Sequence, residues 1–414
     1  MSQPIEKGNT ARQIRLLGAY GFFTYPFVCV PFLFFFFQEN GLSIGQYLWM
    51  IALYYWSMVL TEVPTGMIAD RWGRKNAMVA GSLTLSAGFL VICLGSTIQV
   101  YFAGHAILGL GHSLLSGAPT ALVYDTLKQN GEQGRFLSIE SRIHAFRLFG
   151  TGASFLVGGV MAWAWGIVPT IAATVVLCLV GAGIAMGVRE EKPSRHGRNA
   201  LLPAALRELR SKTMLWILVY FILLFGLLRF AFHTYQPYFD ETVYDDLTPR
   251  IAWLFLGALF AALNLVAGSC SRLVPRLTRR LRYRVIFPFL PATLCVSFVL
   301  MAGLPNWAGV LLFFAHQVPF GLHWALVQSF VNDRVTTTAR ATALSILSFL
   351  GRVSFALWIP LVGFYEETHG TPQTYLLIGI VGIVLTALWC MPHLGTRLMA
   401  RDPLAPVVPH EHNH

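Results

Sequence analysis

Residues 66–75 read GMIADRWGRK, a dense and mostly basic stretch that stands between two long apolar segments. Three cations beside lipid favour the cytoplasmic side of a membrane, because short cytoplasmic loops collect Lys and Arg. Gly66 and Gly73 permit the close backbone approach that a tight turn between helices needs. An ordinary topology anchor would explain the charges, but it would leave the pair Asp70 and Arg71 and the two glycines without a reason.

The composition indicates an integral membrane protein. Of the 414 residues, 55% are hydrophobic and 12% are charged, whereas soluble domains carry about 25% charged residues. The net charge of +11 does not indicate nucleic-acid binding, because the basic residues lie in short loops between apolar segments. The polar N-terminus lacks the apolar core of a signal peptide, so the first span is expected to act as the insertion signal.

The apolar segments predict an all-α protein that crosses the membrane twelve times. A spanning helix needs roughly 20 apolar residues. The predicted spans lie at residues 14–38, 44–66, 76–97, 100–127, 136–162, 166–188, 214–238, 250–271, 285–303, 306–331, 340–365 and 372–393. If the N-terminus is cytoplasmic, the loop cations gather on the cytoplasmic side and only Arg250 falls outside. Both termini are therefore predicted to be cytoplasmic, in a multi-pass protein of the cell inner (cytoplasmic) membrane.

The spacing Gly-x-x-x-Asp-Arg-x-Gly-Arg-Lys at residues 66–75 resembles the loop motif between the second and third helices of the major facilitator superfamily. The resemblance implies two pseudo-symmetric six-helix halves around a central site that is exposed alternately to each side. An internal repeat agrees with it, because a shift of 205 residues carries Arg135 onto Arg340 and Arg147 onto Arg352. The predicted organisation is an N-terminal half at 1–188, a cytoplasmic linker at 189–213, a C-terminal half at 214–393 and a cytoplasmic tail at 394–414.

The same loop is predicted to act as a conformational latch that holds the cytoplasmic ends of the halves together in one state of the cycle. The second copy of the loop is degenerate, because Pro275 stands at the position of Asp70 and Thr278 at that of Gly73. The latch is therefore expected to be stronger in the first half. Its predicted residues are Gly66, Asp70, Arg71, Gly73, Arg74 and Lys75.

Arginines inside the spans are the best pointers to a site, because a cation retained within the bilayer usually faces a cavity or a partner. Arg147 and Arg352 lie near the middle of the fifth and eleventh predicted spans, and Arg229 is comparably deep in the seventh. A purely structural pairing of each Arg with a carbonyl or a helix end weighs about equally at this stage. The predicted substrate-binding residues are Arg147, Arg229, Arg352, His112, His233 and His316.

The charges also predict the class of substrate. We find no Asp or Glu near the middle of a predicted span, and Glu62 falls close to the cytoplasmic end of the second. A site for cationic drugs would need a buried carboxylate, whereas guanidinium and imidazole groups suit an anion. The predicted function is proton-coupled export of a small organic anion or an amphipathic metabolite. The predicted proton carriers are His144, Glu140 and Asp125, since His titrates near physiological pH and Glu140 shares a helix face with His144.

Other functions stay open at this stage. They are a multidrug proton antiporter, an uptake permease, a lipid-handling protein and a non-transporting receptor. An enzyme is disfavoured, because no nucleophile stands beside a base in a recognisable array and the histidines do not form a metal cluster. We expect no cofactor and no metal. The expected partners are the small, anionic substrate, protons and the lipid bilayer, with no nucleic acid and with a monomeric chain.

Overall fold

The computed structural model describes residues 7–25, 27–190, 211–334 and 340–391, without the side chains of residues 7–9, 70, 137, 213, 340 and 341. Most of the predicted linker at 189–213 and all of the predicted tail at 394–414 lie outside the described residues, as does the side chain of Asp70. The described helices follow one another along the chain as twelve spans.

The first six spans form the N-terminal half. Span 1 comprises Lys7–Thr24 and Leu33–Glu39, span 2 is Ile44–Trp72, span 3 is Arg74–Leu94, span 4 comprises Ile98–Leu115 and Ala118–Gln129, span 5 is Phe136–Trp165, and span 6 is Val168–Gly187. The other six form the C-terminal half. Span 7 is Lys212–Val243, span 8 is Pro249–Ser271, span 9 is Tyr283–Gly303, span 10 comprises Trp307–Leu311 and Phe313–Asn332, span 11 is Arg340–His369, and span 12 is Thr371–Trp389, with a short helix, Val274–Arg280, between spans 8 and 9.

Ten helices among the described residues are long and apolar enough to cross a membrane. Spans 1 and 2 are not among these ten helices, for different reasons. Span 2 is 29 residues long, but its many Tyr and Trp side chains lower its mean hydropathy. Span 1 is broken after Thr24, and its outer part, Val30–Glu39, is a shorter apolar helix.

The packing of the spans shows the internal repeat. Span 3 packs on spans 4 and 6, span 4 on span 2, and span 1 on spans 5 and 6. Each of these contacts recurs six spans later, because span 9 packs on spans 10 and 12, span 10 on span 8, and span 7 on spans 11 and 12. The contacts of span 2 with span 11 and of span 5 with span 8 join the halves. The predicted architecture of two pseudo-symmetric six-helix halves is confirmed.

The break in span 1 is closed by a side chain from the other half. Pro31 cannot donate a backbone hydrogen bond, and the chain there forms a single 3₁₀ turn, Val30–Phe32. The Gln236 amide of span 7 donates to the Val30 carbonyl at 3.0 Å and accepts from the Phe34 N–H at 3.0 Å. In a regular helix these two backbone groups would bond to each other. Gln236 therefore replaces the missing helical bond and ties the halves together.

The outer ends of the halves are packed against each other, in contacts that we call the outer seal. Glycines meet in two places. An added Cβ on Gly257 would collide with the backbone of span 5 at Gly159, and one on Gly363 would lie only 3.1 Å from the Gly45 Cα of span 2. The seal is completed by hydrogen bonds from Ser43 to Glu367, from Gln38 to Asp240 and from the Gln236 amide to span 1. The structure is therefore closed on the outer side.

The end of span 2 and the interior of span 4 differ from the predicted spans, and both differences matter for the site. Span 2 was expected to end at residue 66, but it continues to Trp72 and turns only at Gly73, whose φ of +95° is readily adopted by glycine. Span 4, predicted at residues 100–127, breaks at Ser116 and Gly117, where Gly117 has a φ of +76°. Pro119 then lies in the first turn of the second part, where its missing N–H costs nothing.

The glycine contact between spans 5 and 8 predicts a stability effect. A Cβ on Gly257 would lie 2.6 Å from the Gly159 Cα and 2.6 Å from the Phe155 carbonyl oxygen. Gly257→Ala should force the two spans apart and cost about 1–3 kcal/mol, as overpacking does, lowering the thermal unfolding midpoint in detergent. Gly183→Ala is the matched control, because a Cβ there meets nothing within 4 Å. Equal midpoints for the two variants would contradict a tight contact between these spans.

Candidate functional site

A cavity of about 240 Å³ lies between spans 1, 2, 4 and 5. It occupies the cytoplasmic side of the outer seal, as expected for an inward-facing state. Its wall combines aromatic rings with one carboxyl, one guanidinium and one imidazole group. The residues that carry this chemistry are Tyr20, Tyr25, His112, Glu140 and Arg147.

Arg147 is the cation of this cavity. Its Nη2 donates to His144 Nδ1 at 2.6 Å, and its guanidinium carbon lies 5.1 Å from the centre of the Tyr25 ring. Because a guanidinium can only donate, His144 Nδ1 must accept, and His144 is therefore neutral in this contact. No described residue supplies a carboxylate to Arg147. Its charge is balanced here by a ring face and an imidazole lone pair alone.

Glu140 lies on the same helix two turns before Arg147 and lines the same cavity. Its Oε1 accepts from the Thr120 hydroxyl at 2.7 Å, whereas its Oε2 is buried and has no hydrogen-bond partner among the described residues. Thr120 reaches it because span 4 breaks at Gly117 and restarts beside span 5. A buried carboxylate oxygen without a donor is costly, so this oxygen could accept a hydrogen bond from a ligand in the cavity.

His112 is oriented by its own helix. Its Nδ1 lies 3.1 Å from the Leu108 carbonyl oxygen, so Nδ1 carries the proton and Nε2 is left as an acceptor in the neutral ring. The ring packs edge-on against Tyr54 and Phe27, each at 5.5 Å between ring centres. His112 is thus a fixed polar group in an aromatic wall.

Arg229 and His233 face the N-terminal half from span 7. The guanidinium of Arg229 lies 5.1 Å from the centre of the Phe225 ring and interacts electrostatically with Tyr54 and His112. Among the described residues, no hydrogen bond or ion pair holds this guanidinium. His233 Nε2 lies 3.3 Å from the Tyr55 hydroxyl of span 2. Arg229 and His233 are therefore placed near the cavity residues of the other half.

Arg352 is held differently from the other two arginines. Its Nη2 donates to both Glu62 carboxylate oxygens, at 2.7 and 2.6 Å, across the contact between spans 2 and 11. Only 12% of the Arg352 side chain and 23% of the Glu62 side chain are exposed. The sequence predicted that no Asp or Glu lies deep inside a span together with the arginines. This prediction was wrong for Glu62. The reason is the length of span 2, whose continuation to Trp72 leaves Glu62 well inside the helix.

His316 lies away from the other predicted binding residues. It is fully buried inside the C-terminal half, where its Nδ1 meets the Tyr235 hydroxyl at 3.1 Å. Gln317 donates to the same hydroxyl at 3.0 Å, so the Tyr235 hydroxyl joins the side chains of His316 and Gln317. The arrangement is a packed polar network between spans 7 and 10.

The latch residues and Asp125 lie together at the cytoplasmic end of the N-terminal half. Arg74 forms an ion pair with Asp125 of span 4. Glu190, just after span 6, accepts from the backbone N–H groups of Arg74 at 2.7 Å and of Lys75 at 2.8 Å. A carboxylate at the start of a helix satisfies free N–H groups and complements the helix dipole. A Cβ on Gly73 would lie 2.6 Å from Glu190 Oε2, so this cap also requires glycine.

The remaining latch residues add little to these contacts. Gly66 is helical, and an added Cβ would meet nothing within 4 Å, so its close approach was not required here. Arg71 is exposed. In this state the described latch contacts therefore join spans 3, 4 and 6 of one half.

Three candidate functional residues were not predicted from the sequence. Glu62 was assigned to a span end, Glu190 was assigned to the linker, and Tyr25 was not among the predicted site residues. The signal for Glu190 was its place among basic residues just after span 6. The pairing of Glu62 with Arg352 had no local signal, because 290 residues separate them.

Comparisons with known proteins agree with this architecture. Residues 16–359 match the profile of the family described as Major Facilitator Superfamily. "Multidrug resistance protein 2" of Bacillus subtilis (strain 168) is 22% identical over 199 residues, which cover 45% of this chain and 47% of that relative. "Multidrug resistance protein MdtH" of Yersinia enterocolitica is 36% identical over 74 residues, 18% of each chain. The chain thus matches less than half the length of these relatives.

Solved structures match over nearly the whole chain. The nucleoside transporter NupG has a TM-score of 0.74 at 13% identity, covering 95% of this chain and 100% of that one. The peptide transporter POT in complex with sulfate has a TM-score of 0.72 at 15% identity, covering 96% and 98%. At such identities the likeness concerns the fold.

The Glu62–Arg352 pair predicts a coupled stability effect. Glu62→Gln should leave a mostly buried guanidinium without its counter-charge and cost up to about 3 kcal/mol. The double variant with Arg352→Gln should regain most of that loss, because no unpaired charge remains. Thermal unfolding in detergent measures the stability of the single and of the double variant. Glu132→Gln is the control, since it breaks the exposed pair with Arg135 and should cost under about 1 kcal/mol. If the double variant lost as much stability as Glu62→Gln and Arg352→Gln lose together, the pairing would be contradicted.

Proposed function

We propose that this chain, which belongs to the Major Facilitator Superfamily, exports a small organic anion or an amphipathic metabolite by alternating access, driven by protons. Its proposed location is the cell inner membrane. The observation that carries the substrate class is Arg147, a guanidinium that lines the cavity with only an imidazole and a ring face as described partners. A ligand carboxylate or phosphate would supply the charge that Arg147 lacks and would match its planar fork.

The second half would contribute Arg229 and His233. Both face the N-terminal half from span 7, and Arg229 interacts electrostatically with His112. As the halves rock, the two guanidinium groups would approach one ligand from opposite sides. Arg352 is the weaker candidate for direct contact, because Glu62 already neutralises it. His316 is weaker still, because Tyr235 and its surroundings bury it.

For proton coupling we propose Glu140 and His144. Glu140 lies in the cavity with one unpartnered buried oxygen, and protonation of the His144 Nδ1 would break its contact with Arg147. A substrate anion on Arg147 and a proton on this pair are therefore linked through the same side chains. Asp125 is the weaker candidate, because Arg74 holds it at the cytoplasmic end.

A multidrug proton antiporter is the second candidate. The same cavity contains a carboxyl group, Glu140, within a wall that includes Tyr20 and Tyr25, and such a wall suits a planar cation. Two relatives are named multidrug resistance proteins, which also favours export. The two candidates differ in the sign of the ligand charge. A panel of aromatic carboxylates and the corresponding amines separates them by ligand-induced stabilisation of the wild-type protein in detergent.

The anion site is tested by ligand-induced thermal stabilisation. Arg147→Gln should weaken binding of an anionic ligand by about 1.5–3 kcal/mol, roughly ten- to a hundredfold in affinity. Arg147→Lys should lose less, because it keeps the charge without the bidentate fork. Arg229→Gln should also weaken binding. Arg142→Gln is the control, because Arg142 is exposed on the same helix. Undiminished ligand-induced stabilisation of both Arg147→Gln and Arg229→Gln would contradict the anion site.

The coupling proposal is tested in proteoliposomes with an imposed pH gradient. Glu140→Gln should abolish the concentrating of substrate against its gradient while substrate exchange continues, because the variant cannot bind and release the proton. His144→Gln is expected to act in the same direction. Glu132→Gln, a carboxyl change outside the cavity, should leave coupling intact. Full concentrative transport by both cavity variants would place the proton elsewhere.

A further inference from the structure

The outer seal buries a carboxyl group that the proposed transport site does not use. Glu366 of span 11 is 2% exposed. It lies one turn after Gly363, which packs on Gly45 of span 2, and directly before Glu367, which accepts from Ser43 at the start of span 2. Glu366 is therefore part of the segment of span 11 that closes against the N-terminal half.

The contacts of Glu366 leave its carboxyl group short of donors. Its Oε1 accepts from the Thr371 hydroxyl at 2.9 Å, and its Oε2 is buried without a hydrogen-bond partner among the described residues. The backbone N–H of Thr371 donates to Glu241 Oε2 at 2.8 Å. One residue at the start of span 12 thus holds two carboxyl groups from spans 7 and 11 close together.

The described ionisable groups that interact electrostatically with Glu366 are acids, whereas His369, one turn further along span 11, stacks on Tyr365. Glu241 of span 7, Tyr47 of span 2 and Tyr375 of span 12 interact with it electrostatically, and Glu367 is its neighbour in the chain. No described cation forms an ion pair with Glu366. An ionised carboxylate that is buried beside a second carboxylate is strongly unfavourable, and the usual outcome is that one of the two takes up a proton.

The burial of Glu366 comes from the closed seal. Spans 2 and 11 must separate at Gly45 and Gly363 for the cavity to face the outer side, and that separation would admit water beside span 11. In water a carboxyl group ionises at neutral pH. The two states of the seal therefore bind different numbers of protons at this residue.

We propose that Glu366 is an outer proton-binding site, at which closure of the seal adds one proton from the external solution to the carboxylate and opening returns it. The carboxylate and the proton combine into a neutral carboxyl group, and no other reactant is required. This site rests on the alternating access of the proposed function, but it is separate from Glu140, which lies in the cavity on the other side of the seal. Its consequence is that external acid favours the closed seal.

The test measures the distance between the outer ends of spans 2 and 11 as a function of pH. Spin labels at Gln46→Cys in span 2 and Thr368→Cys in span 11, both exposed outer positions, would report it in a background with the 6 native cysteines replaced. Uptake of one proton changes the ratio of closed to open seal by about tenfold per pH unit through the transition. Glu366→Gln, which imitates the neutral acid, should stay closed and change less than about twofold from about pH 5.5 to about pH 8.5.

Two further variants define the control and the alternative. Glu367→Ala removes the acceptor of the Ser43 hydrogen bond and should lower the closed fraction at every pH while keeping the tenfold slope. Glu241→Gln removes the neighbouring negative charge and should move closure to lower pH. An unchanged slope in Glu366→Gln overturns the site. If the Glu366→Gln variant does not fold, the Glu241→Gln variant decides. A closure transition at the same pH as in the wild type would then overturn the site.

The nature of the bound cation and the transport proposal are tested in proteoliposomes that contain the spin-labelled protein. Raising Na⁺ at constant pH should leave the wild-type distances unchanged, and closure by Na⁺ in the wild type but not in Glu366→Gln would replace the proton by a sodium ion. Counterflow of an anionic substrate tests the proposed function separately. Counterflow that persists while Glu366→Gln loses its pH response supports both proposals, whereas a wild type without counterflow contradicts the transport proposal alone.

Discussion

Contact between backbones at two glycine pairs sets the arrangement of the two halves. Gly45 meets Gly363 between spans 2 and 11, and Gly159 meets Gly257 between spans 5 and 8. Helices in lipid gain little from apolar burial, so small residues that allow close packing and interhelical hydrogen bonds carry the association. Both pairs lie toward the outer ends of their spans. The cavity consequently lies on the cytoplasmic side, and the side chains that could reach a ligand are those below the seal.

The arginines that lie deep in spans 5, 7 and 11 show how a protein in lipid divides buried charge between structure and function. Arg352 has a carboxylate partner, Glu62, on the opposite half, and its contribution is to the contact between halves. Arg147 and Arg229 lie over aromatic rings, which attract a cation but leave its hydrogen-bond donors largely unused. A charge with unused donors beside a cavity is the arrangement that a soluble ligand can complete. The electrostatic argument for an anion therefore rests on Arg147 and Arg229.

The cytoplasmic end of the N-terminal half is held together by a different set of charges. Asp125 pairs with Arg74, and Glu190 caps the helix that starts at Arg74, so spans 3, 4 and 6 are joined at their ends. Such contacts within a half favour movement of that half as a rigid body. The basic loop thereby has a structural role in the inward-facing state. Its predicted role between the halves would belong to the other state of the cycle.

The sequence predicted the number of spans, the internal repeat and the cavity residues Arg147, Glu140 and His112, because each has a signal within one helix or one loop. Hydropathy sets the spans, since lipid excludes unpaired backbone polar groups. The breaks in spans 1 and 4 were partly visible in their prolines and glycines, but their consequences were not. The Gln236 bridge needs a partner from span 7, and the Thr120 contact with Glu140 needs two spans to meet.

By itself the sequence determined an all-α membrane protein with paired halves and cations inside its spans, because composition and periodicity are local properties of the chain. Only the tertiary structure decided which cations are neutralised and which are available. Glu62 and Arg352, like Glu241, Glu366 and Thr371, are far apart along the chain or on different spans and meet only when the helices pack. The role of a buried charged group depends on the groups around it, since burial and neighbouring charges set the cost of ionisation. That environment is a property of the packed helices, and no local pattern of residues encodes it.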